Sequence, residues 1–259
     1  MDVREVPLSP VKNTEPEFSL VYPYYNNPKM LEMQVENWNR ISGALARRIE
    51  IVVVDDCSSQ PALPIMRACR VQSRLFRVLE RIPWNMHQCR NIGAKEALGS
   101  NPWLFLSDID IMLTPEMLFT MTEKQLQPIY HYTMERTFAP DFTVRKVHPN
   151  TLLVKRNTFW QVNGYDLDLT PVGGGGYGGD AQFMKQIAAI APRVHLDDVV
   201  LIGYGRQQRD GEPALPDADT TDLDRAEWHE KYKEARARKR AAGDLRSINP
   251  IRTPYERVL

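Results

Sequence analysis

Arg48-Ile-Glu-Ile-Val-Val-Val54 runs directly into Asp55-Asp56-Cys57-Ser58-Ser59. A β-branched run without polar alternation suits a strand buried on both faces, as in parallel sheets. The Asp and Ser cluster behind it is turn-forming. The same punctuation recurs on either side. Upstream, Phe18-Ser-Leu-Val-Tyr22 stops at Pro23, and residues 28–44 place Met30, Leu31, Val35, Trp38 and Ile41 at helical spacing. Downstream, residues 64–71 read as a short helix, 75–79 as a strand, and 85–98 as a helix closed by Gly99. Pro102-Trp-Leu-Phe-Leu-Ser107 is another buried strand, ending at Asp108-Ile109-Asp110, and residues 115–125 form a further helix. This alternation of strand and helix predicts an α/β fold, with a mostly parallel central sheet flanked by helices. In such sheets ligands bind beyond the carboxyl ends of the strands. Three polar clusters fall there: Pro23-Tyr-Tyr-Asn26, Asp55-Asp56 and Asp108-Ile-Asp110.

The second half is less regular. Residues 142–147, 151–154 and 199–202 read as strands, and 155–162 and 182–190 as helices. Between them lies Val172-Gly-Gly-Gly-Gly-Tyr-Gly-Gly-Asp180, which holds six of the 14 glycines. Residues 210–222 are rich in Pro, Asp and Thr and read as a linker. Residues 222–242 form a helix that is acidic early and basic late, in keeping with the helix dipole.

Composition narrows the function classes. The 259 residues carry 33 Lys plus Arg against 33 Asp plus Glu, so no global charge steers the chain to nucleic acid or an anionic membrane. Cys57, Cys69 and Cys89 form no CxxC pair, which argues against a zinc ribbon or a disulfide scaffold. No apolar stretch approaches the roughly 20 residues that span a bilayer, and the N-terminus lacks a signal-peptide pattern. The expectation is a cytoplasmic protein, at most peripheral to a membrane.

Four features can carry chemistry. Asp-x-Asp occurs four times, but only Asp108/Asp110 follows a buried strand; two carboxylates there suit a hard divalent cation or, more plainly, a solvated turn. Asp55-Asp56 either caps the turn or accepts hydrogen bonds from a nucleotide. Arg90, near the start of a helix, suits a phosphate or base contact. The glycine run predicts a loop that closes over a ligand, or else a plain connector, and Asp180 stands where the next helix begins.

Taken together, Val21-Tyr-Pro-Tyr-Tyr-Asn-Asn27, Ile51-Val-Val-Val-Asp-Asp-Cys-Ser58, Cys89-Arg-Asn-Ile-Gly-Ala94, Phe105-Leu-Ser-Asp-Ile-Asp110 and Gly176-Tyr-Gly-Gly-Asp180 resemble a GT-A-fold glycosyltransferase. The segment from Leu153 to Asp166 resembles the acceptor side of the same fold. The similarity is to glycosyltransferase family 2 and to catalytic domains of the β-1,4-galactosyltransferase and polypeptide GalNAc-transferase type. It implies a GT-A (Rossmann-like) catalytic domain over residues 1–210, with a nucleotide-binding half at about 17–126 and an acceptor-side half at about 127–210. Residues 211–259 then form a linker and a charged C-terminal helical extension.

The resemblance also implies roles. Pro23, Tyr24 and Tyr25 line the nucleotide site, Asp56 bonds the uracil of a UDP-sugar, and Arg90 supports the same nucleotide. Asp108 faces the ribose or sugar, Asp110 with Asp108 ligates Mn²⁺ or Mg²⁺, and Gly178 and Gly179 allow close approach to the donor. Asp180 stands at the acidic catalytic motif, as the base of an inverting transfer. Two departures matter. Ala181-Gln182 follows Asp180 where relatives usually have a second acid, and Tyr204 falls where the galactosyltransferase type has a metal-binding His, which leaves His195 as a substitute. The acceptor is not readable: glycan, lipid-linked sugar, protein and modified nucleic acid all fit. Arg236, Arg238, Lys239 and Arg240 form a basic run at the end of the charged helix. Trp160, Trp228 and Tyr177 have the rings to stack on sugars. The alternatives are a nucleotidyltransferase of similar fold and a non-catalytic nucleotide-sugar-binding module. The first lacks its usual Gly-rich basic loop, because Pro23-Tyr-Tyr-Asn-Asn-Pro28 occupies that place.

Overall fold

A computed structural model describes residues 15–82, 85–145, 147–167, 179–204, 225–243, 246–247 and 250–259. The nucleotide half consists of β1 (Phe18–Tyr24), α1 (Pro28–Trp38), α2 (Gly43–Arg48), β2 (Ile49–Asp55), α3 (Leu63–Met66), β3 (Ser73–Val78), α4 (Met86–Glu96), β4 (Trp103–Leu106), β5 (Ile111–Met112) and α5 (Pro115–Thr122). The acceptor half adds β6 (His131–Phe138), β7 (Thr143–Arg145), β8 (Leu152–Lys155), α6 (Arg156–Gln161), α7 (Gly179–Ile190) and β9 (Arg193–Gly203). Then come α8 (Arg225–Ala242) and β10 (Tyr255–Arg257).

All strands join one sheet in the order β10-β3-β2-β1-β4-β8-β6-β9-β5, with β7 on β6. Pairing is parallel through β3-β2-β1-β4 and again between β6 and β9. The remaining pairs are antiparallel. The sheet is therefore mixed, and parallel order is concentrated where the strand–helix alternation was regular. Every residue of β1 and β2 is buried, because helices cover both faces. Successive side chains point to opposite faces. Leu20, Tyr22, Ile51, Val53 and Phe105 pack with Trp38 and Leu31 of α1. Val21, Val52, Val54, Leu104 and Leu106 pack with Ile92 of α4, Phe159 of α6 and Phe183 of α7. At Gly93 α4 touches the sheet so closely that a Cβ would lie 2.3 Å from Val21 Cγ1.

Two local differences from the sequence reading have clear causes. The helix expected over 28–44 ends at Trp38, capped by Asn39, and a second one starts at Gly43, whose φ of +61° an L side chain rarely adopts. The C-terminal segment is also more than a linker and a helix. After α8 the chain returns to the sheet, where β10 pairs antiparallel with β3 through Tyr255↔Val78 and Arg257↔Phe76. Three residues with one aromatic give no periodic signal, so the strand escapes notice in the sequence. Among the described residues no helix is long and apolar enough to cross a membrane.

Candidate active site

The carboxyl ends of β1, β2 and β4 lie side by side because their strands pair in parallel register. After β1 the chain turns at Asn26, whose φ is +43°. Asn26 Oδ1 accepts hydrogen bonds from Ser59 Oγ (3.1 Å) and Gln60 N (2.9 Å), which ties this turn to the one after β2. Of the three residues expected here, Tyr24 is a fastener: its ring is buried in the core and its Oη donates to Gln60 O at 2.7 Å. Pro23 is buried beside Val54, and Tyr25, 39% exposed, presents a ring at the surface.

The Asp55-Asp56 pair divides its roles. Asp55 organises the turn, accepting from Ser58 N (2.8 Å), Ala62 N (3.0 Å) and Arg77 Nη1 (3.1 Å). Asp56 instead accepts from Asn85 Nδ2 at 3.1 Å, at the cap of α4. Burial pushes its carboxyl up to about 7, although the Asn85 bonds pull the other way.

Arg90 is the centre of the site. It is fully buried on α4, its Nη2 donates to Asp108 Oδ1, and its Nη1 donates to Asp180 Oδ1 at 2.5 Å. Its guanidinium lies over the Tyr165 ring, 5.3 Å from the centroid. Burial opposes the guanidinium charge, but Asp180, Tyr165 and Asp108 more than offset it and raise its pKa. Asp180 responds in the opposite sense. Burial pushes its carboxyl up, yet Arg90 and His87 together hold it well below the usual carboxylate range. The long sequence separation between the strand-end acid and the acid after the glycines is thus closed by one guanidinium.

Asp108 also receives Asn150 Nδ2, from the turn before β8. Asp110 is fixed through its backbone. Gln34 of α1 donates its amide to Ile109 O and Ile111 O, both at 2.9 Å, and Tyr204 N donates to Asp110 O at 2.9 Å. Burial, then the neighbouring Asp108 charge, pushes the Asp110 carboxyl up to about 7, against a counter-pull from Arg136 on β6. Asp108 already meets Arg90, but two strand-end carboxylates are suitable hard-oxygen donors for Mg²⁺ or Mn²⁺, which commonly bind through one or two carboxylates plus substrate phosphates. The donor set therefore fits such an ion. Among the described residues no three His, Cys, Asp or Glu converge to hold one alone.

His195, the expected substitute ligand, lies at the other end of β9 from Asp110. It pairs with Thr133 near the start of β9, its Nδ1 3.2 Å from Thr133 Oγ1. The end of β9 that meets β5 beside Asp110 is Gly203, which lies opposite Phe138, five residues along β6 from the Thr133 partner of His195, or roughly 17 Å along an extended strand. Tyr204 occupies the place next to Asp110. Gly178, Tyr177 and the side chain of Trp228 lie outside the described residues. Trp160 packs edge-on against Phe159, and Lys239 is buried in an ion pair with Asp166 and donates to Arg246 O at 3.1 Å. That lysine serves packing, not an open basic face.

Several site residues have no sequence signal of their own: His87, Gln34, Asn85, Asn150, Arg136 and Tyr165. Their one legible trait is a polar group that the fold buries, on a helix or strand for His87, Gln34 and Arg136 and in a turn for Asn85, Asn150 and Tyr165.

The comparisons with known proteins agree with this fold. The glycosyl transferase family 2 model matches residues 19–178, more than half of the chain. No curated protein matches the sequence. Three similar solved structures share the fold. A mannosyltransferase from Pyrobaculum calidifontis, PcManGT, in complex with GDP-Man and Mn²⁺, is 16% identical with a TM-score of 0.57, over 93% of this chain and 80% of that one. S. aureus TarS 1-349 with UDP-GlcNAc is 16% identical with a TM-score of 0.59, over 87% and 73%. GalNAc-T7 with UDP, GalNAc and Mn²⁺ is 14% identical with a TM-score of 0.57, over 87% of this chain and 48% of that one. The chain belongs to glycosyl transferase family 2 and has the GT-A fold of the glycosyltransferases it resembles.

Proposed function

We propose that this chain transfers a hexosyl or N-acetylhexosaminyl group from a UDP-sugar to an acceptor hydroxyl, with inversion at the anomeric carbon. The observation that carries the reading is the chain of contacts Asp108–Arg90–Asp180 beside Asp110, which joins the strand ends to the start of α7. Structural neighbours solved with UDP-GlcNAc, UDP and GDP-Man support a nucleotide-sugar donor. Asp56, whose N donates to Tyr24 O at 2.9 Å, is the acceptor for the N3–H of uracil. Asp110, with Asp108, would hold Mn²⁺ or Mg²⁺, which supplies countercharge to the departing diphosphate.

Asp180 takes the proton. The acceptor oxygen forms its bond to the anomeric carbon, the bond from that carbon to the diphosphate oxygen breaks, and UDP leaves. Arg90 keeps Asp180 charged and therefore able to accept, but weakly basic. Product analysis tests the reading. Incubation with UDP-sugars and Mn²⁺ is expected to release UDP. Release of pyrophosphate from a nucleoside triphosphate would instead indicate nucleotidyl transfer, and binding with neither product would indicate a binding module.

Asp56 gives the site a pH dependence. Its ionised form is the stronger acceptor for uracil N3–H, and its carboxyl sits at about 7. Protonation on the acid side therefore weakens the acceptor, and UDP is expected to bind up to about tenfold more weakly near pH 6 than near pH 8. Calorimetry on the wild type and on Asp56→Asn checks this. The variant should bind weakly throughout, and a pH slope equal to that of the wild type would assign the effect to the nucleotide.

A further inference from the structure

Gly179 and Asp180 open α7, and the groups that fix them come from elsewhere in the chain. A Cβ at Gly179 would lie 2.2 Å from His87 Cε1, with the two ring nitrogens at 2.9 and 3.0 Å, so the backbone of α7 rests directly on that imidazole. The same ring is stacked on Tyr165, with centroids 4.9 Å apart and planes within 11°. Tyr165 is stacked in turn on Phe183, at 3.9 Å and 20°. Phe183 lies about one turn along α7 from Gly179. The column of three rings therefore holds α7 at both ends of its first turn. His87 Nε2 also lies at ion-pair distance, 3.3 Å and without hydrogen-bond alignment, from Asp180 Oδ1, the oxygen that receives Arg90 Nη1. His87 and Arg90 are three residues apart on α4 and so share a face.

We infer that His87 is a positioning residue for the transfer: its ring seats the backbone at Gly179, and its Nε2 holds Asp180 Oδ1 in place relative to Arg90 and Asp108. The inference rests on the reading of Asp180 as the reacting carboxylate. Reacting groups have to be held within about 0.5 Å of their productive place, and a displacement of about 1 Å can cost on the order of 100-fold in rate. Arg90 alone leaves Asp180 free to pivot about a single ion pair. A second contact to the same oxygen, from a ring itself clamped by Tyr165, removes that freedom. The glycine at 179 follows from the same arrangement, because any side chain there would displace the imidazole.

His87→Leu, which keeps bulk but removes the donor and the aromatic face, and His87→Gln, which keeps an N–H near Nε2, test this. Three readouts are compared: kcat and donor KM in the UDP-release assay, UDP binding by calorimetry, and amide hydrogen exchange across α7 against β2. His87→Leu is expected to lower kcat roughly 10- to 100-fold with KM and UDP affinity within about twofold, and to speed exchange in the first turn of α7 alone. His87→Gln is expected to recover a substantial part of kcat. Unchanged exchange in the first turn of α7 in both variants would overturn the inference, whatever the transfer assay gives. So would an equal loss of kcat and UDP affinity with faster exchange throughout, which marks general packing. If the wild type transfers no sugar while His87→Leu still loosens that turn alone, the transfer reading fails and the seating of Asp180 by His87 stands.

Discussion

Asp180→Asn is expected to lower sugar transfer by about 10²- to 10⁴-fold, the usual worth of a positioned general base, while UDP affinity stays within about twofold. The substitution is nearly isosteric. Its amide oxygen still accepts from Arg90 Nη1, which now reaches the carboxylate at 2.5 Å, so the buried guanidinium keeps a hydrogen bond. It loses the charge that pairs with Arg90 and the capacity to take a proton. Removing one partner of a buried ion pair outright costs about 3–5 kcal/mol, because the other charge is left uncompensated. Asp108 still meets Arg90 Nη2, so the stability loss in this variant should fall below that range. On the proposed reading the uracil contact is made by Asp56, after β2, and not by Asp180. Turnover by UDP release, UDP binding by calorimetry and melting by calorimetric scan separate these effects. Near-normal turnover in a folded variant would remove Asp180 from the role of base.

How much of this was legible in the sequence depends on how each residue is buried. β1, β2 and β4 announce themselves because strands covered on both faces need continuous apolar runs, and Val52-Val-Val54 and Leu104-Phe-Leu106 supply them. Asp56 and Asp108 follow the carboxyl ends of β2 and β4, which a parallel sheet aligns. β6 was missed for the converse reason. His-Tyr-Thr-Met-Glu-Arg-Thr-Phe carries polar groups at buried positions, and neighbours satisfy them: His131 Nδ1 lies 2.7 Å from Ala191 O, and Thr133 Oγ1 meets His195 Nδ1. Gln34 and Asn37 are hidden in the apolar stripe of α1, where their amides reach Ile109 O, Ile111 O and Leu113 O. Those partners are some 75 residues away, so local spacing carries no trace of them. Asp55 and Asp56 stayed ambiguous because adjacent residues of one type differ only in the direction the turn gives them. His195 misled because nearness in sequence along a strand is distance in space.

Removing residues 246–259 is expected to lower the unfolding free energy by about 4 kcal/mol or more and to weaken UDP binding with it. Gln88 and Asn91 are fully buried on α4. Gln88 Oε1 accepts from Arg252 N (2.7 Å) and Thr253 N (3.2 Å), and Asn91 Nδ2 donates to Pro250 O (2.7 Å). Each buried amide stripped of its partner costs about 1–3 kcal/mol. The same deletion removes β10 from β3, including Leu79 N to Pro254 O (3.0 Å) and Val258 N to Leu75 O (2.8 Å), and exposes a sheet edge. It also uncovers Phe76, which meets Tyr255 edge-on at 6.1 Å. Single domains hold only about 5–15 kcal/mol in total, so this loss is a large share. The effect reaches the site through α4. Gln88 and Asn91 alternate along that helix with His87 and Arg90, so a helix loosened on its tail side carries the guanidinium with it. Asn91 still keeps Tyr165 through Nδ2 to Tyr165 O (2.9 Å) and Tyr165 N to Oδ1 (2.8 Å). Gln88→Ala is therefore expected to reproduce more of the truncation than the loss of Pro250 alone. Urea midpoints of the full chain, the truncated chain and Gln88→Ala, read with and without UDP, measure this. A truncated chain with an unchanged midpoint and an unchanged response to UDP would show that α4 stands without the tail.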